Sequence, residues 1–127
     1  MDTGITNKME LTATEESTAK AMGSGELSVF ATPAMIALIE ETCWRSVADK
    51  LDGGQGTVGT KLDVKHVSAT PVGMKVWCES ELTDMEGRKL TFSVQVFDEA
   101  GLVGEGTHER FIVDNEKFMK KAEMKNK

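Results

Sequence analysis

The sequence contains no tyrosine, two prolines and two cysteines, and aromatic residues make up only 6% of it. Cys43 and Cys78 fall in a predicted helix and a predicted strand without the CxxC spacing of a metal site, which indicates buried free thiols in a reducing compartment. No apolar run approaches the roughly 18 residues of a membrane-spanning helix, and no basic start leads into an apolar run as in a secretion signal. We therefore expect a cytoplasmic protein that has no disulfide framework and does not associate with membranes.

The charge of the chain narrows the class of partner. Its 127 residues carry a formal net charge of −6, which argues against nucleic acid as a partner. Because the Debye length is about 8 Å near physiological salt, lysines and arginines gathered locally could still bind a phosphorylated small ligand. The length fits a single domain over residues 1–127, with residues 1–8 expected to be disordered.

The strongest local pattern is an apolar helix, expected from Thr32 to about Leu51. The hydroxyl of Thr32 can cap the N-terminus, and Pro33 suits the first helical position because it has no N–H to satisfy. The first half has few polar positions, so a carboxylate there, Glu40, needs a partner or a changed pKa. The apolar residues recur at spacings of three and four: Met35, Ile36, Leu38, Ile39, Cys43, Val47 and Leu51.

Period-two alternation predicts five strands around this helix. The first is expected over residues 9–16, followed by an irregular connector over residues 17–25 that could act as a lid. After the helix come one strand ending at His66, a hairpin that turns at residues 85–88, and a last strand over residues 102–113 with a bulge or close backbone approach at Gly104 and Gly106. Asp114 can cap a final helix that Phe118 docks. This order predicts an α+β domain with an antiparallel sheet wrapped around one long helix.

The strand after the helix directs a histidine toward the same layer as Glu40. Val58, Thr60, Leu62, Val64 and His66 share one predicted face, which should meet the buried helix. From the residues alone, His66 is either a functional group or a core-edge histidine bonded to backbone. His108 is expected to be structural or interfacial.

Seven short motifs carry a further signal: FAT at 30–32, MIALIE at 35–40, GT at 59–60, VKH at 64–66, TPVG at 70–73, EGR at 86–88 and GTHER at 106–110. In this order and spacing they resemble the hotdog-fold thioesterases, and most closely the fluoroacetyl-CoA thioesterase-like branch. The resemblance covers about residues 23–118. It implies a hotdog fold and a homodimer whose two sheets join, with sites at the interface.

The resemblance also implies a catalytic set of Thr32, Glu40 and His66. In the family the Glu follows the Thr by eight residues and the His follows the Glu by twenty-six, and both intervals match in this sequence. Glu40 would act as base or nucleophile on an acyl-CoA thioester, while His66 and Thr32 would orient groups or move a proton. Gly59 matches a family glycine near the acyl group, and Phe30 is placed with it as a substrate contact. Arg110 matches a family arginine near the site, although from the residues alone it could equally form a surface ion pair. No cofactor is implied, since coenzyme A is part of the substrate.

One departure from the family limits the choice of substrate. Fluoroacetyl-selective members look as though they carry lid phenylalanines just before the FAT motif, whereas this chain has GSGELSV, with Glu26 where an aromatic residue is expected. We therefore expect a different small acyl-CoA. Candidate phosphate contacts are Lys61, Lys65, Arg88 and Lys89.

Three other functions are compatible with the residues. One is a hotdog enzyme of the enoyl-CoA hydratase type, and another is a binding module that sequesters an acyl-CoA without turnover. A metal site built from His66, His108 and nearby carboxylates is a weaker possibility, because the sequence has no HxxxH or CxxC spacing.

Overall fold

The computed structural model describes residues 1–126 as five strands and three α-helices. The strands are β1 (Thr6–Thr12), β2 (Gln55–His66), β3 (Lys75–Glu86), β4 (Lys89–Asp98) and β5 (Gly101–Asp114), and the helices are α1 (Ala19–Met22), α2 (Thr32–Val47) and α3 (Asn115–Glu123). All strand pairs are antiparallel, and the sheet order is β1-β3-β4-β5-β2. The predicted α+β architecture, a sheet around one long helix with a short C-terminal helix, is confirmed.

The core lies between α2 and the inner face of the sheet. The alternation in β3 and β4 sends every second side chain toward the helix, as period two requires. The helix packs against this face with apolar residues that recur at spacings of three and four. The fully or almost fully buried residues of these three elements are Val76, Cys78, Ser80 and Leu82 from β3, Leu90, Phe92, Val94, Val96 and Asp98 from β4, and Met35, Leu38, Ile39, Thr42, Cys43 and Val47 from the helix. The predicted inward row of β4 is therefore confirmed, and both cysteines are free and buried.

Both ends of α2 differ from the prediction. The N-cap is Ala31, which makes no side-chain cap bond, and Thr32 is already helical. The Thr32 hydroxyl is therefore free to bond elsewhere. At the other end the α-helix stops at Val47, and a 3₁₀ turn over Ala48–Lys50 follows. The apolar spacing could not separate these two helix types, because both place side chains three apart on one face.

The N-terminal segment is more ordered than expected. β1 begins at Thr6, within the segment expected to be disordered, and ends at Thr12 rather than at residue 16. Pairing with β3, from Thr6 opposite Glu81 to Thr12 opposite Lys75, satisfies its backbone and explains the order. The connector that follows is not irregular throughout, since it contains α1. Thr18 accepts a bond from the Ala21 N–H and Gly23 closes the helix at φ 73°.

A β-bulge in β2 changes which side chains face the helix. The register with β5 shifts between Gly59 and Lys61, so Thr60 is an extra residue. Gly59 consequently lies on the helix-facing side, where its α-carbon approaches the Glu40 carboxylate. The predicted row holds for Val64 and His66, whereas Leu62 shares their face but remains 36% exposed. The row was wrong for Val58 and Thr60, because a strict period of two does not survive a bulge.

The C-terminal elements follow the prediction in outline. Asp114 caps α3 by accepting from the Lys117 N–H at 3.1 Å. Phe118 remains 41% exposed, so it does not bury the helix as expected. The close approach predicted in β5 is present, because a β-carbon on Gly104 would lie 2.7 Å from the Lys65 carbonyl oxygen.

Candidate active site

Thr32 and His66 form a direct contact at one end of α2. The Thr32 Oγ1 lies 2.7 Å from Nδ1 of His66, joining the first turn of the helix to the last residue of β2. The second ring nitrogen of His66, Nε2, is buried and has no hydrogen-bond partner in the structure. Burial lowers the pKa of His66, so the neutral imidazole is favoured near pH 7. One ring nitrogen is thus anchored and the other is available.

A cavity of about 280 Å³ opens beside this pair. Phe30, itself 1% exposed, contributes to its wall, and its backbone N–H donates to the Thr70 carbonyl at 2.8 Å. The connector that contains α1 forms another part of the wall, so the segment suggested as a lid does lie against Thr32 and His66. The cavity is lined by Ala19, Ser24, Val29, Phe30, Thr32, His66, Val67, Ser68 and Ala69.

Glu40 occupies a second position, farther along α2. Its side chain is 39% exposed rather than buried, and its Oε2 lies 3.6 Å from Nη1 of Arg110. A β-carbon on Gly59 would lie 2.8 Å from that same carboxylate oxygen. Glycine at position 59 therefore leaves the space that the Glu40 carboxylate uses.

Arg110 is buried and strongly bonded. Its Nε donates to the Thr57 hydroxyl at 2.8 Å and its Nη2 to the Thr57 carbonyl at 3.0 Å. Burial lowers the pKa of Arg110, and the negative charge of Glu40 opposes this. The ion pair with Glu40 is thus not a surface contact on the arginine side, where the side chain is only 7% exposed.

Sequence analysis missed the part that His108 plays beside this ion pair. The imidazole is fully buried, its Nδ1 lies 2.8 Å from the Lys61 carbonyl oxygen, and its Nε2 lies 3.1 Å from Nη1 of Arg110. The alternation that places residues 108 and 110 on one face of β5 could have suggested the pairing. The bulge that brings Lys61 into reach leaves no clear trace in the sequence.

One chain does not bring the three predicted catalytic residues together. Thr32 and Glu40 are eight helical residues apart, roughly 12 Å along the axis. Gly59, which adjoins Glu40, is seven residues from His66 along β2, which corresponds to roughly 20 Å of strand. The structure therefore pairs Thr32 with His66 and, separately, Glu40 with Gly59 and Arg110.

The candidate phosphate contacts lie on β2 and on the β3–β4 hairpin. Lys61 and Lys65 lie opposite Glu109 and Glu105 in β5, Arg88 lies in the turn between β3 and β4, and Lys89 begins β4 opposite Phe111. Within residues 1–126, no group of three histidine, cysteine or acidic side chains is arranged to hold a metal ion. No helix in that same range is long and apolar enough to cross a membrane.

A solved structure with this architecture identifies the fold. A hot-dog-like protein from Thermanaerovibrio acidaminovorans matches with a TM-score of 0.89 at 19% identity, covering 98% of this chain and 93% of the other. At that identity the likeness shows the fold alone. The five-stranded sheet around α2 is thus a hotdog fold, as the resemblance implied.

More similar proteins identify the family. The model of the fluoroacetyl-CoA-specific thioesterase family matches residues 13–116. The fluoroacetyl-CoA thioesterase of Streptantibioticus cattleyicolor is 42% identical over 97 residues, which are 76% of this chain and 70% of that protein. A threonine-to-serine variant of a fluoroacetyl-CoA thioesterase, solved with acetyl-CoA, superposes with a TM-score of 0.94 at 32% identity over all of both chains. The chain belongs to the fluoroacetyl-CoA-specific thioesterase family, and thereby to the thioester hydrolases.

Proposed function

We propose that the protein hydrolyses a small acyl-CoA thioester to the free acid and coenzyme A. The observation that carries this proposal is the contact of Thr32 with His66 beside a cavity, in a chain of the thioesterase family. The acetyl-CoA complex of a related threonine variant supports an acyl-CoA as the substrate class.

In the proposed reaction Glu40 supplies the carboxylate that activates water or attacks the thioester itself. Oxygen from water ends on the acyl carbon, the C–S bond breaks, and the departing sulfur takes a proton. His66, held through Nδ1 by Thr32, has Nε2 available to donate to the developing oxyanion or to pass the proton. Arg110 holds the Glu40 carboxylate. Gly59 leaves room for the acyl group, and Phe30 contacts it. Coenzyme A belongs to the substrate, so we propose no separate cofactor.

A homodimer would bring the separated residues into one site. β2 lies at the edge of the sheet, so its outer backbone groups are free to pair with a second strand. Two copies of β2 could pair antiparallel about a two-fold axis at Asp63. Because Thr60 is an extra residue in the bulge, His66 of the partner subunit would then lie opposite Gly59. Each site would then combine Glu40 of one protomer with Thr32 and His66 of the other. The separation of these residues within one chain and the unpaired edge of β2 support the dimer.

The wall of the cavity bears on the acyl group. The segment before Phe30 lines the cavity with Ala19, Ser24 and Val29. Glu26 is exposed, and so is Leu27, at 69%. No aromatic side chain from this segment therefore covers the cavity. We propose a small acyl group other than fluoroacetyl, and a cytoplasmic location in keeping with two free buried cysteines.

A panel of acetyl-, fluoroacetyl-, propionyl-, butyryl- and crotonyl-CoA, followed by detection of released thiol, tests the function. We expect turnover of at least one short acyl-CoA, with fluoroacetyl-CoA not preferred over acetyl-CoA. Glu40→Gln and His66→Gln should each lose turnover while keeping the wild-type circular dichroism spectrum. Wild-type rates in both variants would exclude the proposed site. Hydration of crotonyl-CoA without thiol release would favour a hydratase, and saturable binding of the panel without turnover would favour a binding module.

A further inference from the structure

His108 connects two features that shape the Glu40 position. We propose that His108 is a positioning residue for hydrolysis: it orients Arg110, which holds Glu40, and it fixes the β2 bulge that carries Gly59. The inference rests on the proposed role of Glu40 as base or nucleophile. It differs from the expectation that His108 is merely structural.

The hydrogen-bond partners of His108 define its protonation. The Lys61 carbonyl oxygen can only accept, so Nδ1 of His108, 2.8 Å away, carries the proton. The Arg110 guanidinium can only donate, so Nε2, 3.1 Å from Nη1, carries no proton and accepts the bond. His108 is thus a neutral imidazole with one defined tautomer. Burial lowers the pKa of His108 and the positive charge of Arg110 lowers it further, against a backbone bond at Lys61 and two carboxylates.

The Arg110 nitrogen that His108 accepts from is the one nearest Glu40. Nη1 carries two hydrogens, and the guanidinium is planar, so fixing one hydrogen sets the direction of the other. Nε and Nη2 are both committed to Thr57, at 2.8 and 3.0 Å. His108 supplies the remaining restraint, and the second Nη1 hydrogen is left for the Glu40 oxygen 3.6 Å away.

The other ring nitrogen of His108 acts on the sheet. Its bond to the Lys61 carbonyl falls at the register shift between Gly59 and Lys61. This bulge turns Gly59 toward Glu40, and a β-carbon on Gly59 would also lie 3.3 Å from Cε1 of His108. One side chain therefore restrains both walls around the Glu40 carboxylate.

Three substitutions separate the two bonds. His108→Gln can accept from Arg110 at a position near that of Nε2 but loses the donor at Nδ1. His108→Asn retains a donor near Nδ1 but does not reach Arg110. His108→Leu makes neither bond. We expect kcat to fall about 10- to 100-fold in His108→Leu with KM within about twofold, since a displacement near 1 Å can cost about 100-fold. His108→Gln and His108→Asn should each recover only part of kcat, because each keeps one of the two bonds. The inference would be overturned if all three variants lost kcat equally and in step with melting temperature. It would also be overturned if folded His108→Leu kept its kcat unchanged.

A spectroscopic measurement gives an answer that does not need turnover. Long-range ¹H–¹⁵N spectra of the wild type should show His108 protonated at Nδ1 alone, and ¹⁵N spectra of the Arg110 guanidinium should show slow rotation of its Nη1 group. That rotation should become faster in His108→Leu and stay slow in His108→Gln. Protonation at Nε2, or equal Arg110 mobility in all variants, would contradict the proposal. If the wild type hydrolysed no acyl-CoA, the proposed function would fail while these spectra still decided the role of His108 toward Arg110.

Discussion

The Thr32 hydroxyl lies 2.7 Å from Nδ1 of His66 and makes no N-cap bond to its own helix. We therefore predict that Thr32→Val lowers kcat/KM about 100-fold, the lower end of the range for groups that assist proton transfer. The free energy of unfolding should change by less than about 1 kcal/mol, because no helix cap is lost. Thiol-release kinetics and urea denaturation measure the two quantities.

Thr32→Ser is the matched control for this substitution, since it retains the hydroxyl and removes only a methyl group. Its kcat/KM should stay within a few-fold of wild type. Loss of activity in the serine variant equal to that in Thr32→Val would mean that the methyl group, and not the bond to His66, matters.

Gly59→Ala should inactivate the protein without unfolding it. The new β-carbon would lie 2.8 Å from Oε2 of Glu40, which is the end of a flexible side chain, so the carboxylate moves and the strand stays. We expect at least a tenfold fall in kcat, of the size that a displacement of about 1 Å produces. Stability should be unchanged or slightly higher, because alanine replaces a flexible residue in a strand.

Gly56→Ala provides the control in the same strand. Its β-carbon would lie 2.5 Å from the Asn115 side-chain oxygen, again at the tip of a side chain, and its three nearest atoms all belong to Asn115 rather than to Glu40. Turnover by Gly56→Ala should remain within a few-fold of wild type. A similar loss in both variants would point to a general disturbance of β2.

The stability of the fold should depend on the buried histidines. Burial lowers the pKa of His108 and of His66 in the folded chain relative to their ordinary values. The unfolded chain therefore binds more protons near pH 6, and the free energy of unfolding should decrease as the pH falls below about 6.5, the ordinary pKa of histidine. Urea denaturation at pH 7.5, 6.5 and 5.5 measures this decrease.

His108→Gln should make that pH dependence shallower, because the variant lacks one of the two histidines. An unchanged slope between pH 7.5 and 5.5 would show that His108 is not kept neutral by the fold. The range stays above the ordinary pKa values of aspartate and glutamate, so few carboxylates titrate in it.

The two cysteines should be inert in the folded protein. Burial raises the pKa of Cys78 to about 11 and raises that of Cys43 well above its ordinary value. Since the thiolate is the reactive form, Ellman's reagent should label no cysteine in the native state and both in guanidinium chloride. Native labelling of either residue at a rate comparable to the unfolded chain would contradict this.

The fold was largely predictable because its signals are local. The inward row of β4 and the stripe of α2 follow from period two and from spacings of three and four, and they alone define a sheet that packs on one long helix. Asp114 was recognisable as a cap because acidic side chains suit a helix start. These patterns need no knowledge of distant contacts.

The arrangement of the site was only partly predictable, for physical reasons. The bulge at Thr60 reverses the facing of Gly59 and Val58, and a bulge is set by pairing with β5 rather than by the residues of β2 alone. Thr32 is compatible with capping in sequence, yet its hydroxyl is directed to His66 because Ala31 takes the cap position. The pairing of His108 with Arg110 follows from alternation in β5, whereas the bond of His108 to the Lys61 carbonyl falls at the bulge.

The separation of Glu40 from His66 within one chain leads to a test by complementation. If each site combines Glu40 of one protomer with His66 of the other, Glu40→Gln and His66→Gln homodimers are both inactive. A mixed dimer holds one site with both substitutions and one site with neither. Random exchange of equal amounts should make half of the dimers mixed, so about a quarter of wild-type activity should return on mixing. Because independent sites within single chains would give no recovery, absence of activity in mixtures shown by mass spectrometry to have exchanged subunits would exclude the shared site.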